Sequence, residues 1–147
     1  MKSKENTIAL RFADTFAPDE GTIAAHQKMI EQQGFVWYGK LGAAVSSRVI
    51  NEIMLNEFPR ILLIHSGRAR RYWAYIDKIQ HEVPLAQEIP AYYRDNAGIF
   101  KTWFRVLRIE EAAKNILSAC IVASSKRPLS EVSKSSMSPY FIIVVEE

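Results

Sequence analysis

The chain has 147 residues, 48% hydrophobic and 24% charged, which fits one soluble domain over residues 1–147 with a sizeable core. Its net charge of +3, from 19 basic and 16 acidic residues, names no partner by itself. One cysteine (Cys120) excludes a disulfide framework, three scattered histidines (His26, His65, His81) offer no metal-ligand spacing, and no apolar run approaches the ~20 residues of a membrane span. With no secretory signal in MKSKENT, the expected location is a reducing cytoplasm, away from membranes.

Residues 6–13 alternate Ile8, Leu10 and Phe12 against Ala9, Arg11 and Ala13, the period of a strand with one buried face. Pro18 and Gly21 mark a loop, after which Thr22 is placed to cap a helix reaching Gln33 and stopped by Gly34. Ile23, Met29 and Ile30 form its apolar stripe, and His26 reads as a partly buried helix residue before a ligand. A short aromatic strand, GFVWYGK, follows over residues 34–40. Phe35, Trp37 and Gly39 point to one face, and Val36, Tyr38 and Lys40 to the other. Ser46 or Ser47 caps a second helix to about residue 57, with Val49, Ile50, Ile53, Met54 and Phe58 towards the core and Pro59 ending it. The continuous apolar run RILLIHS, residues 60–66, is expected as a central strand. Residues 70–79 return beside it, which crowds arginines at the tip of a hairpin.

Residues 82–97 break the pattern with Pro84, Pro90, Tyr92-Tyr93 and Asn96-Ala97-Gly98, and a connection of this length is more often functional than idle. A long strand over residues 99–109 sets Lys101, Trp103, Arg105 and Leu107 opposite Phe100, Thr102, Phe104 and Val106. A short helical turn is expected within 110–117, a one-turn helix after Pro128, and a last strand at 140–145 that pairs with the first. Cys120, inside the apolar run SACIVA, reads as a buried inert thiol. The order of elements predicts an α+β domain, with a curved, barrel-like mixed sheet of five or six strands flanked by two or three helices.

No nucleophile elbow, zinc-protease helix, phosphate-cradling loop or dinucleotide fingerprint is present. His65-Ser66 reads first as a histidine satisfied by backbone, and Glu110-Glu111 and Glu146-Glu147 as solvated charges. Aromatic and basic residues carry more signal. Core is the first reading for each of Trp37, Trp73 and Trp103, whereas Tyr92 and Tyr93 lie in a polar loop with little core to join. Residues 60–71 hold Arg60, Arg68, Arg70 and Arg71 and no acid. Aromatic faces beside arginines suit bases and phosphates: stacking is worth ~1–3 kcal/mol per base, and basic side chains add a salt-dependent attraction.

The order and spacing of these stretches resemble the PUA-like superfamily, and within it the EVE- and YTH-type readers of modified bases. IALRF is similar to that group's first strand, and GFVWYGK to its Trp-bearing strand after the first helix. RILLIHSGRARRYWAYIDKI resembles its apolar strand, basic turn and returning strand; AGIFKTWFRVLRIEE its Lys-x-x-Trp strand; PLSEVSKSSMSPYFIIV its closing helix and strand. The resemblance implies a nucleic-acid-binding module that takes a modified, methylated base into an aromatic cage. It lays one wall on Trp37, with Tyr38 beside it, and another on Tyr92 or Tyr93, with Lys40, Arg68, Arg70 and Arg71 neutralising the flanking phosphates. The chain departs from YTH readers by carrying Tyr where their loop usually has Trp, and Tyr38 where Ser is frequent. The implied partners are DNA or RNA with a modified base and an effector such as a nuclease, in a modification-dependent restriction or RNA-regulatory system. No catalytic residue, metal or cofactor is implied. Two other readings stand beside this one: a small ASCH-like enzyme acting on modified nucleosides through Lys40, Lys101, Thr102 and Glu110, and a protein-interaction module whose basic face is incidental.

Overall fold

The alternation near the start of the chain forms a strand, β1 (Lys4–Phe12), that sends Ile8, Leu10 and Phe12 into one apolar cluster and Ala9 into another. The computed structural model describes residues 4–14, 17–66, 69–136 and 138–146. After β1 come α1 (Thr22–Gln33), β2 (Val36–Lys40), α2 (Ser47–Met54), β3 (Arg60–His65) and β4 (Arg71–Gln80). Two 3-10 segments, Ala86–Glu88 and Ala91–Ile99, then lead into β5 (Thr102–Glu111). A 3-10 turn (Ile116–Ala119), β6 (Cys120–Val122), α3 (Leu129–Ser135) and β7 (Tyr140–Glu146) complete the described chain.

All seven strands belong to one mixed sheet in the order β2-β5-β4-β3-β1-β7-β6. The apolar run of β3 takes the middle place, as a strand covered on both faces should. It runs parallel to β1, a pairing that requires a crossover, and α1, β2 and α2 supply the intervening chain. β7 lies antiparallel along β1 from Lys4↔Glu146 to Leu10↔Tyr140. The expected five or six strands become seven because Cys120–Val122, legible only as an apolar run, pairs with β7.

The sheet is curled. Tyr38 and Val36 of β2 share one buried cluster with Ile8, Leu10 and Phe12 of β1, although β5, β4 and β3 stand between the two strands in ladder order. The bend is visible in the β4–β5 ladder, where the register passes from Tyr75↔Arg108 to Ile76↔Val106 to Lys78↔Arg105. Leu107 and then Asp77 are left without an opposite residue, and extra residues of this kind bend a strand and increase its twist. The apolar stripes of α1 (Ile23, Met29, Ile30) and α2 (Val49, Ile50, Ile53, Met54) pack into the inner cluster. The outer cluster, with Leu62, Ile64, Trp73, Phe141 and Ile143, lies on the other face together with residues of the 3-10 turn, β6 and α3.

Several helix ends differ from expectation. Ser46 caps α2, its hydroxyl accepting from the Val49 N–H, but the helix stops at Met54 and leaves Phe58 exposed. Gly34 ends α1 in the left-handed conformation. At the other end Thr22 is the first helical residue, preceded by Gly21 at φ 94°. The cap is supplied by Asp14, eight positions upstream, whose Oδ1 accepts the Thr22 N–H at 2.9 Å. Its Oδ2 lies 2.6 Å from His65 Nε2, tying the end of β3 to the start of α1. Burial pushes the Asp14 carboxyl up, but the Thr22 and His65 hydrogen bonds outweigh it and hold the group below its ordinary value. Asp14→Ala removes both links and should cost about 1–2 kcal/mol of stability, read as a lower urea midpoint at unchanged slope.

Candidate functional site

Because the sheet curls, the ends of β1 and β2 face each other across a cavity of about 470 Å³, within the ~300–1,000 Å³ range of small-molecule sites. β1 contributes Leu10 and Phe12, and β2 contributes Tyr38, Gly39 and Lys40. The 3-10 segment adds Tyr92, Tyr93, Asn96, Ile99 and the following Phe100, and Thr22 and Pro139 are among the remaining wall residues. Arg11 also borders the cavity, but strand alternation sends its guanidinium to the outer face. There it lies 5.5 Å from the Phe141 ring centroid and donates to the carbonyls of Ser133, Ser136 and Ser138.

The tyrosines are held by one another and by the helix behind them. Tyr92 and Tyr93 meet edge to face at 4.6 Å between centroids, and Tyr93 lies 4.7 Å from Phe100. His26, only 1% exposed, has its ring 5.2 Å from Tyr38, 5.4 Å from Tyr93 and 6.4 Å from Tyr92. Its Nδ1 is 2.8 Å from the Thr22 carbonyl, so the proton sits on Nδ1, and the buried Nε2 has no hydrogen-bond partner. Burial lowers its pKa to about 4, the Thr22 carbonyl opposing only in part, so the imidazole is neutral near pH 7. Burial likewise raises the phenols of Tyr38, Tyr92 and Tyr93, which stay protonated.

Gly39 explains how the loop reaches the cavity. A Cβ at this position would come within 2.8 Å of Phe100 and 3.0 Å of Trp103, so only glycine lets these rings cross β2 so closely. β2 is the edge of the sheet, and the loop wraps over it.

Lys40 is the charged side chain of this site. It is 5% exposed, and its ammonium donates to the carbonyls of Leu41 (3.0 Å) and Ala43 (2.6 Å) and lies 4.2 Å from the centroid of the Tyr140 ring. Among the described residues no carboxylate pairs with it. Desolvation lowers its pKa from the ordinary lysine value.

The structure brings together Tyr38, Lys40, Tyr92 and Tyr93 from the expected set and places Trp37 elsewhere. Trp37 is 4% exposed and points, as the period of two requires, to the face opposite Tyr38 and Lys40. It packs with Ile89, Tyr93, Phe100 and Trp103, and its indole N–H donates to Glu88 at 3.0 Å. Trp37 thus belongs to the buried cluster that includes Tyr93 and does not line the cavity. Lys40 faces inward, not along an outer phosphate track. Arg70 is exposed and Arg71 half-buried on the β3–β4 hairpin, which is joined to the end of β1 by the Ser66 N–H bonded to the Phe12 carbonyl at 2.7 Å. Arg68 lies outside the described residues. Of the residues weighed for an ASCH-like enzyme, Lys40 and Thr102 are ladder partners, and Thr102 Oγ1 accepts the Val45 N–H. Glu110 is eight positions further along β5, at most roughly 26 Å along the strand at ~3.3 Å per residue, where it accepts from the Tyr75 hydroxyl.

Sequence reasoning did not assign His26, Asn96, Gly39 or Phe100 to the site. The clue for Gly39 was its place inside an aromatic strand, where a missing side chain marks a close approach. The cavity faces of Asn96 and Phe100 carry no such signal.

The fold and the site together define an α+β binding domain in which a curled mixed sheet holds a tyrosine-lined cavity between its first and second strands. The Pua-like family model matches residues 8–139, and the chain belongs to that family. Pua-like domains generally bind nucleic acids. No curated protein and no solved structure matches the chain.

The His26 environment sets a pH dependence. The unfolded imidazole titrates near 6.5 and the folded one near 4, so the unfolded state binds the extra proton between those values. Stability is therefore full above about pH 6.5 and falls by about 3 kcal/mol as pH drops to about 4, at 1.36 kcal/mol per unit. Urea titrations at a series of pH values should show this loss in the wild type and not in His26→Leu.

Proposed function

We propose that this domain binds nucleic acid and draws a single modified base into the cavity, against Tyr38, Tyr92 and Tyr93. The observation that carries the reading is the cavity itself: three tyrosines and Phe100 converge on a mostly apolar space, with the Lys40 ammonium at its edge. An aromatic slot favours a flat, polarisable ring, and a methyl group on the base adds apolar surface that loses little on leaving water. On this reading Trp37 stays in the buried cluster with Tyr93, Phe100 and Trp103, and the cage lies on the Tyr38 face of β2. Arg70 and Arg71, on the hairpin beside the end of β1, contact the flanking phosphates. A binding module of this kind leaves chemistry on the nucleic acid to a partner such as a nuclease. The separation of Glu110 from Lys40 and Thr102 favours binding over the ASCH-like alternative.

Tyr92 is the better variant to test, since it is only partly buried. Oligonucleotides of DNA and RNA, modified and unmodified, would be titrated against wild type and Tyr92→Ala at two salt concentrations. The variant should lose about 1–3 kcal/mol of affinity for the preferred modified strand while its salt-sensitive basal binding persists. Arg70→Ala should weaken binding to all strands alike and lower the salt slope by about one. Equal affinity of wild type and Tyr92→Ala for every strand would remove the cavity from the mechanism.

A further inference from the structure

We infer that Lys40 makes the cavity selective for a base that turns a keto oxygen, not an amino group, towards the end of β2. The inference rests on the reading that a base enters this cavity, and it adds the chemistry of the edge being read. An ammonium has three N–H donors and no acceptor. Two of the three go to the Leu41 and Ala43 carbonyls, and the remaining partner is the face of Tyr140, a weak one that an oxygen can replace. Guanine O6 and thymine or uracil O4 are acceptors, whereas adenine N6 and cytosine N4 present donor hydrogens. Against Lys40 an amino edge would set donor against donor and leave both unpaired, at a cost that rises in a water-poor cavity.

Among the described residues lining the cavity, none carries a carboxylate that would favour an amino edge instead. Lys40 is held by two backbone carbonyls in a fixed position, and among the described residues no carboxylate shares its charge, so an acceptor on the ligand meets an uncompensated cation. The desolvation that lowers the Lys40 pKa is what an incoming oxygen would relieve. Asn96 and the tyrosine hydroxyls both donate and accept, so they serve keto and amino bases equally. Lys40 is then a residue that determines specificity, and a methylated amino base such as N6-methyladenine is disfavoured for the same reason that a methylated keto base is accepted.

The test uses single strands of abasic residues carrying one base, in pairs that differ in the exocyclic group and the proton on the ring nitrogen beside it: thymine against 5-methylcytosine (O4 and N3–H, or N4 and bare N3), and hypoxanthine against adenine (O6 and N1–H, or N6 and bare N1). Wild type should bind the keto member of each pair at least about tenfold more tightly. Lys40→Met and Lys40→Gln should bind the two members alike while keeping affinity above the abasic strand. If either variant unfolds, as a changed melting transition would show, the wild-type comparison decides alone. Equal binding or an amino preference in wild type, both above the abasic strand, overturns this inference and leaves base insertion standing. Binding of all four bases at the abasic level overturns the base-insertion reading and this inference with it. A keto preference that survives in folded Lys40→Met transfers the selection to another group, and equal loss for keto and amino strands assigns Lys40 to a phosphate; both overturn the inference.

Discussion

The architecture depends on the curl of one sheet. Seven strands in a flat array would leave β1 and β2 far apart, with four ladders between them, and no cavity would exist. The two unmatched residues in the β4–β5 ladder, Leu107 and Asp77, concentrate bend and twist where the sheet turns. Leu107 and Asp77 are exposed, so the side chains displaced from the pleat point to water and not into the core. The inner cluster then closes over residues from both distant strands, and its burial stabilises the curl that created it. Ile79 joins that cluster three positions after Ile76, which is possible only because Asp77 breaks the period of two.

Most of the elements were legible in the sequence because each satisfies a local rule. The alternation of β1, the unbroken apolar run of β3, the Ser46 cap of α2 and the Gly34 stop of α1 are all set by neighbours a few residues away. The misses have long-range causes. The Thr22 amide is capped by a carboxylate eight residues upstream, held in place by a histidine from a third element, and no window of local sequence contains that triangle. β6 is three residues long, too short for any period, and is a strand only because β7 lies beside it. Phe58 follows the stripe of α2, but the helix has already ended, so the residue faces solvent.

The structure brings β2 and the later loop together at the cavity, with Tyr38 and Lys40 lining it and Trp37 on the other face of the strand. The period of two separates Trp37 from Tyr38 and Lys40 with certainty, yet which face looks into a cavity depends on how β2 sits at the sheet edge and on where the later loop crosses it. Tryptophan is the larger aromatic and attracts the functional assignment, but its size also makes it the better core residue. In this fold it is buried in the cluster of Ile89, Tyr93, Phe100 and Trp103, with Glu88 satisfying the indole N–H. Tyr38 takes the inward place, where its phenol ring closes on His26.

His26 and Lys40 show what burial does to two titratable groups that border the same tyrosines. Desolvation lowers the pKa of both, but from different starting points. The imidazole begins near 6.5 and ends neutral near pH 7, so it packs as a flat ring with one hydrogen bond, behind three phenols. The ammonium begins near 10.5, and burial lowers it from there. The fold accommodates that charge with carbonyl dipoles and an aromatic face, partners that orient an ammonium without cancelling it. A carboxylate in the same place would have formed a neutral pair and left the cavity indifferent to ligand polarity. Dipoles alone leave the positive charge uncancelled beside the cavity, and a ligand oxygen is the group that such a charge favours.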